Sequence, residues 1–374
     1  MTDRPVLGVI GLGTMGLGIA QVFAQAGFPV LATDAHAPAR DSARARLDQA
    51  LQARVTAGKL SEADRAATLA RLTVVPDLSG LAPSALLIEA VVEDLEVKRD
   101  LFARLEALVS PQAVLATNTS SLPIHAVARG LRHPDRVLAL HFFNPPAAMK
   151  LVELAPHSGS DPAAVARAQG WAQAAGKTVI LCPDRPGFIV NRCARPYYGE
   201  ALALLEEGRS AAEIDAAMMA AGYRLGPFAL IDLVGADINL AATEGLAAAM
   251  GQHPRYHVFP ALRRQVASGQ LGRKTGRGFV FPDPATAPPP DAEAIALRIE
   301  ATLANEAHWL LAEGGTTPEG IDTALKLGLN FPRGPFEALA RHGLPAVRDT
   351  LARLRSAAPE GLKPRYDPAP GLRD

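Results

Sequence analysis

An excess of charge of either sign is missing from this chain of 374 residues: 38 Lys and Arg stand against 38 Asp and Glu, the formal net charge is zero, and no block of five like charges occurs. That balance argues against a nucleic-acid-binding surface and against a polybasic membrane patch. Cysteine is nearly missing as well. Cys182 and Cys193 lie 11 positions apart with no His or Cys nearby at metal-ligand spacing. They argue against a disulfide-stapled fold and read as ordinary thiols of a reducing compartment. No apolar stretch reaches the ~18 residues of a membrane span, and the first strand begins at Val6, which leaves no room for a signal or transit peptide. The expectation is a cytoplasmic protein with no metal, nucleic-acid or membrane partner, built of two or three domains at about 100–200 residues each.

What is present starts at the N-terminus. Val6–Ile10 is a short apolar run suited to a buried parallel strand, and Gly11, Gly13 and Gly16 follow as G-x-G-x-x-G where a helix opens. Gly11 permits the tight turn, Gly13 lets backbone approach a pyrophosphate, and Gly16 lets the helix lie close to the strand. The phosphates would sit at the helix N-terminus, beside Leu12, Thr14 and Met15. A second strand, 28–33, ends in Asp34, 18 residues after Gly16, where a carboxylate suits a ribose 2′-hydroxyl. It would repel the 2′-phosphate of NADP, and no Arg or Lys follows before Arg40, so NAD(H) is the expected cofactor. The motif alone leaves FAD open.

Apolar strands at 6–10, 30–33, 86–90, 113–117, 137–140 and 178–182 alternate with helical stretches in the N-terminal half, which predicts a doubly wound parallel sheet of Rossmann type. Residues 38–72 read as a helical pair inserted after the second strand. Beyond Pro183 the strand signals stop, and the rest reads as helices punctuated by Gly and Pro, with a stiff Pro-rich linker at 282–290. This predicts an α/β domain over 1–184 and an all-α region of two units, 185–281 and 291–374. The two units are copies. E-A-L-A-L-L-E-E-G-R-S from Glu200 lies on E-A-H-W-L-L-A-E-G-G-T from Glu306, Ile214-Asp215 on Ile321-Asp322, and Gly226-Pro227-Phe228 on Gly334-Pro335-Phe336. A helical unit with an apolar face needs a second to cover it, so the copies pack on each other or on a second chain.

The candidate chemistry lies in Leu140-His141-Phe142-Phe143-Asn144-Pro145 and Met149-Lys150-Leu151-Val152-Glu153. A His at a strand end with a carboxylate 12 residues on can act as a general base and its orienter.

Together these stretches resemble the 3-hydroxyacyl-CoA dehydrogenase family. The likeness is carried by G-L-G-T-M-G-L-G-I-A (11–20), I-E-A-V-V-E-D-L-E-V-K (88–98), T-N-T-S-S-L (117–122), H-F-F-N-P, M-K-L-V-E, P-G-F-I-V-N-R (186–192), G-P-F-A-L-I-D-L-V-G-A-D (226–237) and G-R-K-T-G-R-G-F (272–279). The resemblance implies that His141 is the catalytic base, that Glu153 pairs with its imidazole, and that Ser120 and Asn191 hydrogen-bond around the substrate oxygen and the thioester end. It also implies an NAD site lined by Glu93, Lys98, Ser120, Asn144 and Lys274 beside the glycines and Asp34. Arg54 and Lys59 of the inserted helical pair become candidates for the phosphates of coenzyme A, whereas Asn118 reads as a turn residue.

Within the family the likeness is to bacterial enzymes with two helical units, including 3-hydroxyadipyl-CoA dehydrogenases of phenylacetate degradation. Two departures stand out: only the Pro-rich linker separates the helical units, and Val280 replaces the usual aromatic after G-R-G-F. The implied activity is NAD-dependent interconversion of (3S)-3-hydroxyacyl-CoA and 3-oxoacyl-CoA, in fatty-acid or phenylacetate-type degradation, by a homodimer joined through its helical units. Arg195 and Arg209 are candidates for an ω-carboxylate and equally for surface residues. The rivals are a dehydrogenase of a free 3-hydroxy acid, which usually shuttles protons with a Lys of its helical domain, and a non-catalytic NAD-binding homologue.

Overall fold

The computed structural model describes residues 4–283 and 287–373. It divides into two compact units, Met1–Arg185 and Pro186–Asp374.

The first unit is an eight-stranded sheet. In chain order its strands are β1 (Leu7–Ile10), β2 (Val30–Thr33), β3 (Leu72–Val74), β4 (Leu86–Glu89), β5 (Val114–Thr117), β6 (Val137–Phe142), β7 (Leu151–Pro156) and β8 (Thr178–Leu181). The helices are α1 (Thr14–Gln25), α2 (Ala37–Thr56), α3 (Glu62–Arg71), α4 (Leu95–Leu108), α5 (Ile124–Ala128) and α6 (Pro162–Ala174). Strand order is β3-β2-β1-β4-β5-β6-β7-β8, so the order reverses between β1 and β4. β1, β4 and β5 are buried at every residue, which is why they read as apolar runs, interrupted only where Glu89 and Thr117 close β4 and β5. α2 is polar on most of its surface and buries only Ala43, Leu47 and Leu51, one stripe at i, i+4, i+8 that joins the sheet's core. Asp94 caps α4 through Val97 N–H and Asp161 caps α6 through the N–H groups of Ala163 and Ala164.

The sheet departs from an all-parallel one at a single place: β7 runs antiparallel to β6. The segment 143–150 is too short for a crossover helix, so the chain returns directly alongside β6. β7 and the short β3 are the two strands absent from the sequence-based set, and β6 runs on to Phe142, which puts His141 inside the strand.

The second unit comprises α7 (Val190–Cys193), α8 (Arg195–Glu206), α9 (Ala211–Ala220), α10 (Pro227–Val234), α11 (Ala236–Ala249), α12 (Pro260–Ala267), α13 (Ala292–Ala312), α14 (Pro318–Leu329), α15 (Pro335–His342) and α16 (Leu344–Ala357). α13 is its axis, packed on α8, α9, α15 and α16. Part of the Pro-rich linker, residues 284–286, lies outside the described residues.

The repeat noticed in sequence has a physical cause at each matching position. Asp215 accepts hydrogen bonds from the N–H groups of Phe228 and Ala229 at the start of α10, and Asp322 accepts from Phe336 and Glu337 at the start of α15. A Cβ on Gly226 would stand 2.3 Å from Asp215, and one on Gly334 2.2 Å from Asp322, so each copy needs its glycine. The copies also clasp each other. Buried Glu200 of the first copy binds Arg298 (2.7 Å), Arg365 (3.2 Å) and Tyr366 (3.2 Å) of the second. Glu306 of the second binds Arg192 (2.7 Å), Arg255 (3.0 Å) and Tyr256 (2.5 Å) of the first. Arg192 also forks onto Glu313, and Arg298 onto Glu207. Two Pro-Arg-Tyr triplets, 254–256 and 364–366, thus play matching parts, as in an isologous interface contained in one chain.

Candidate active site

The glycine loop is built as its spacing predicts. Gly11 has φ +93°, and a Cβ there would lie 2.5 Å from the Ala90 carbonyl oxygen; a Cβ on Gly16 would collide with the Gly11 carbonyl at 1.7 Å. Around Gly13 nothing stands within 4 Å of the missing Cβ, which is the opening a pyrophosphate needs. Asp34 closes the other end: its Oδ2 accepts from Leu12 N–H at 2.6 Å and its Oδ1 from His36 N–H at 2.8 Å. Arg40 also lines the cleft beside Asp34, where its guanidinium donates to the carbonyls of Asp34 at 2.5 Å and Ala35 at 3.2 Å.

A cleft of about 930 Å³ opens here, at the carboxyl ends of β1 and β4 where the strand order reverses. Gly11, Gly13, Asp34 and the apolar side chains of Val91, Val92 and Val97 line it. Its polar edge and apolar wall fit a nucleotide's ribose and base.

Beneath the next strand ends lies a charged cluster. Lys98, only 1% exposed, places Nζ 2.7 Å from Glu89 Oε1 and 3.2 Å from Glu93 Oε2. Glu89, fully buried, also accepts from Thr117 Oγ1 and Val91 N–H, each at 2.7 Å. Glu93 accepts from Thr119 Oγ1 (2.5 Å), Ser120 N–H (3.1 Å) and Ser121 Oγ (2.9 Å). Burial raises the Glu93 pKa, but the Lys98 charge and the hydroxyls of Thr119 and Ser121 outweigh it and hold the carboxyl below its ordinary range. Lys98 is therefore not a solvated partner of Glu93; it is the counter-ion of a buried carboxylate. Glu89, Thr117 and Thr119 escaped the sequence reading, although a Glu closing the apolar run Leu86–Ile88 was a visible signal. Asn118 does more than turn the chain, since its Oδ1 accepts from Phe142 N–H at 2.8 Å and ties the end of β5 to β6.

His141 and Glu153 are directly opposed in the antiparallel β6–β7 register, and His141 Nδ1 lies 2.8 Å from Glu153 Oε2. Both are buried, Glu153 completely. A carboxylate on Nδ1 sets the tautomer, so proton transfer falls to Nε2. The loop after β6 is pinned by Lys177, whose Nζ donates to the carbonyls of Pro146 (2.6 Å) and Met149 (2.7 Å). Burial lowers the Lys177 pKa to about 8.

Ser120 is half-buried beside Glu93, and Asn144 is exposed at the start of the pinned loop. Arg54 on α2 donates to Gln25 Oε1 at 3.3 Å, and Lys59 is exposed in the turn between α2 and α3. In the second unit Asn191 sits half-buried on α7, and Lys274 pairs with Asp237 at 2.5 Å. Arg209, assigned as readily to the surface, pairs with Asp291, and Arg195 is buried. Cys182 and Cys193 are buried thiols in no disulfide. Val280, at the departure from the family pattern, gives its N–H to Asp232, which also binds the N–H groups of Phe279 and Phe281. Among the described residues no helix is long and apolar enough to cross a membrane.

Comparison with known proteins places this geometry. Residues 6–185 match the family described as 3-hydroxyacyl-CoA dehydrogenase, NAD binding domain, and residues 187–281 and again 295–374 match its C-terminal domain. The chain belongs to the 3-hydroxyacyl-CoA dehydrogenase family. The dehydrogenase is accordingly an oxidoreductase with NAD as cofactor, which removes the FAD alternative. It is 44% identical over 282 residues to a 3-hydroxyadipyl-CoA dehydrogenase of Escherichia coli K12, covering 74% of this chain and 59% of that protein. It is 43% identical over 277 residues to a 3-hydroxybutyryl-CoA dehydrogenase of Mycobacterium tuberculosis, covering 73% of this chain and 96% of that one. A crystal structure of an E. coli 3-hydroxybutyryl-CoA dehydrogenase superposes with a TM-score of 0.91 at 32% identity, over 100% of this chain and 98% of that chain. The two C-terminal matches coincide with the two copies that clasp each other through Glu200 and Glu306.

Proposed function

We propose that the dehydrogenase oxidises (3S)-3-hydroxyacyl-CoA to 3-oxoacyl-CoA, and catalyses the reverse, with His141 as the proton-transfer group. The observation that carries this reading is the buried His141–Glu153 pair, 2.8 Å apart at the carboxyl end of the sheet that also holds the glycine loop. In oxidation His141 Nε2 takes the proton of the 3-hydroxyl. Glu153 holds the ring on Nδ1 and stabilises the imidazolium that forms. NAD, when bound, accepts the hydride from C3. Ser120 and Asn191 orient the substrate oxygen and the thioester, a positioning role. Gly11–Gly16 and Asp34 hold the pyrophosphate and ribose, Glu93, Lys98, Ser120, Asn144 and Lys274 serve the NAD site, and Arg54 and Lys59 meet the phosphates of coenzyme A.

The reading includes a role in fatty-acid or phenylacetate-type degradation, and the identity to a 3-hydroxyadipyl-CoA dehydrogenase supports an acyl-CoA substrate. A cytoplasmic homodimer belongs to the same reading. Because the two helical copies already cover each other, a dimer would use a different face, and exposed Leu233, Val234 and Ile238 at the α10–α11 corner supply an apolar one.

The test is NADH oxidation at 340 nm with acetoacetyl-CoA, run beside NADPH and beside free acetoacetate. Turnover confined to NADH with the thioester is the expected result, and His141→Gln should abolish it while NADH still binds. Turnover of free acetoacetate at a similar kcat/KM would instead support a free-acid dehydrogenase.

A further inference from the structure

Residues 143–150 follow His141 at the end of β6 and lead into β7, which carries Glu153. They fold into one tight turn in which the N–H groups of Ala148 and Met149 both donate to the Pro145 carbonyl at 3.0 Å. Pro146 is buried, and its carbonyl and that of Met149 find their donor in Lys177, the residue before β8, at 2.6 and 2.7 Å. The neighbouring Thr178 N–H donates to the Lys150 carbonyl at 2.8 Å, so backbone and side chain fasten the turn at the same place. Among the described residues no carboxylate pairs with Lys177, and burial alone lowers its pKa. The two loop carbonyls are what offsets the cost of holding this charge away from water.

The ring of the same proline rests on α1, the helix that opens from the glycine loop. A Cβ on Gly18, in the second turn of α1, would stand 2.9 Å from Cγ and Cδ of Pro146, about half an ångström inside ordinary contact. A proline ring is stiff, so the two fit only because residue 18 has no side chain. Pro146 is thus held twice, its carbonyl by Lys177 and its ring by α1. A second contact joins the same elements: Phe23 of α1 meets Phe142 of β6 edge to face, with ring centroids 6.1 Å apart. The turn begins with Phe143, whose ring centroid lies 4.6 Å from that of His141.

In the proposed reaction the hydride leaves C3 for a nicotinamide whose phosphates sit at the start of α1, while the proton leaves the oxygen on C3 for His141 on β6. Both transfers need the helix and the strand to keep their spacing to about 0.5 Å. Resting on the reading that His141 takes the proton and NAD the hydride, we propose that Lys177 is a positioning residue: by holding the 143–150 turn against Gly18 of α1, it fixes the catalytic histidine relative to the cofactor helix. Lys177 acts through the turn and transfers no proton itself.

The experiment follows a single turnover of NADH with saturating acetoacetyl-CoA by stopped flow at 340 nm, beside the steady-state KM, the Kd for NADH and the Tm. Lys177→Met should slow the single turnover by about 10- to 100-fold, the effect of misplacing reacting groups by up to an ångström, with KM and Kd changed less than about twofold. Lys177→Arg keeps the charge and the donors and should recover most of the rate. Gly18→Ala, which pushes on the same turn from α1, should slow the step in the same way, although alanine is the better helix former. Gly170→Ala in α6, where the added Cβ meets nothing within 4 Å, should leave the rate unchanged. Should Lys177→Met fail to fold, Gly18→Ala carries the comparison. A single-turnover rate within about twofold of wild type in either variant whatever happens to Tm, a loss that appears in KM or Kd in place of the rate, or no recovery in Lys177→Arg overturns the proposal and leaves the dehydrogenase reading standing. No reduction of acetoacetyl-CoA by a wild type that binds NADH overturns the dehydrogenase reading itself.

Discussion

Replacing Lys98 by Met tests whether the charged cluster under the cofactor cleft is a structural ion pair. Met is close to Lys in volume, so no cavity opens, and the change removes one ammonium from 2.7 Å of Glu89 and 3.2 Å of Glu93. Glu93 can turn to water. Glu89, fully buried, cannot, and keeps only the hydrogen bonds from Val91 N–H and Thr117 Oγ1. Removing one partner of a buried pair costs about 3–5 kcal/mol, and the two surviving hydrogen bonds put the expectation near the lower end, about 3 kcal/mol. For a unit of this size that is a fall in Tm of roughly 6–12 °C. The chain has two tryptophans, Trp171 on α6 of the first unit and Trp309 on α13 of the second. In a Trp309→Phe background, urea unfolding followed by Trp171 fluorescence therefore reads the first unit without assuming that the whole chain unfolds in one step. The double variant Lys98→Met/Glu89→Gln should recover a good part of the loss, since the orphaned charge is then gone. A loss below about 1 kcal/mol, or a double variant no more stable than the single one, would refute the reasoning.

Glu153→Gln should lower kcat by about 10²–10³-fold, within the usual weight of general acid–base catalysis, with the Kd for NADH changed little; undiminished kcat would remove Glu153 from the mechanism. Asp34→Ser should weaken NADH binding and shift the NADH/NADPH preference toward NADPH by about tenfold or more, read as a ratio of kcat/KM. Gly226→Ala and Gly245→Ala should have opposite signs when urea unfolding is followed at Trp309: the first drives a Cβ to 2.3 Å from Asp215, whereas the second meets nothing within 4 Å inside α11 and should stabilise by about 0.5–1 kcal/mol. Burial pushes Asp215 up to about 7, against hydrogen bonds from Phe228 and Ala229 that favour its charge. The folded state then holds more protons than the unfolded one between about pH 4 and 7, so this group's contribution to the second unit's stability falls as pH rises through that window, by at most about 1.4 kcal/mol per pH unit. Asp215→Ser should flatten the slope, and an identical slope in wild type and variant would refute it.

Local patterns carried the cofactor, the helical character of the C-terminal half and the repeat. The glycine loop and Asp34 are legible because turn, close approach and ribose contact each demand a residue type within a few positions of the strand ends. Gly226 and Gly334 are legible as a repeat because each meets an Asp one helix earlier. His141 was visible as a candidate base and Glu153 as its candidate orienter from a His near a strand end with a carboxylate 12 residues on, and the family likeness implied the same pair.

Tertiary structure decided the rest, because the deciding contacts join residues far apart in the chain. Whether β7 would pair with β6 at all, placing Glu153 opposite His141, depended on a register that sequence spacing does not specify. Thr117 reaches Glu89 across 28 positions, and Arg192 reaches Glu306 across 114. A lysine or arginine in a sequence carries no mark of what will face it; Lys98 and Arg195 look alike there, and only packing sets one against the Glu89 carboxylate and the other against the Thr243 hydroxyl.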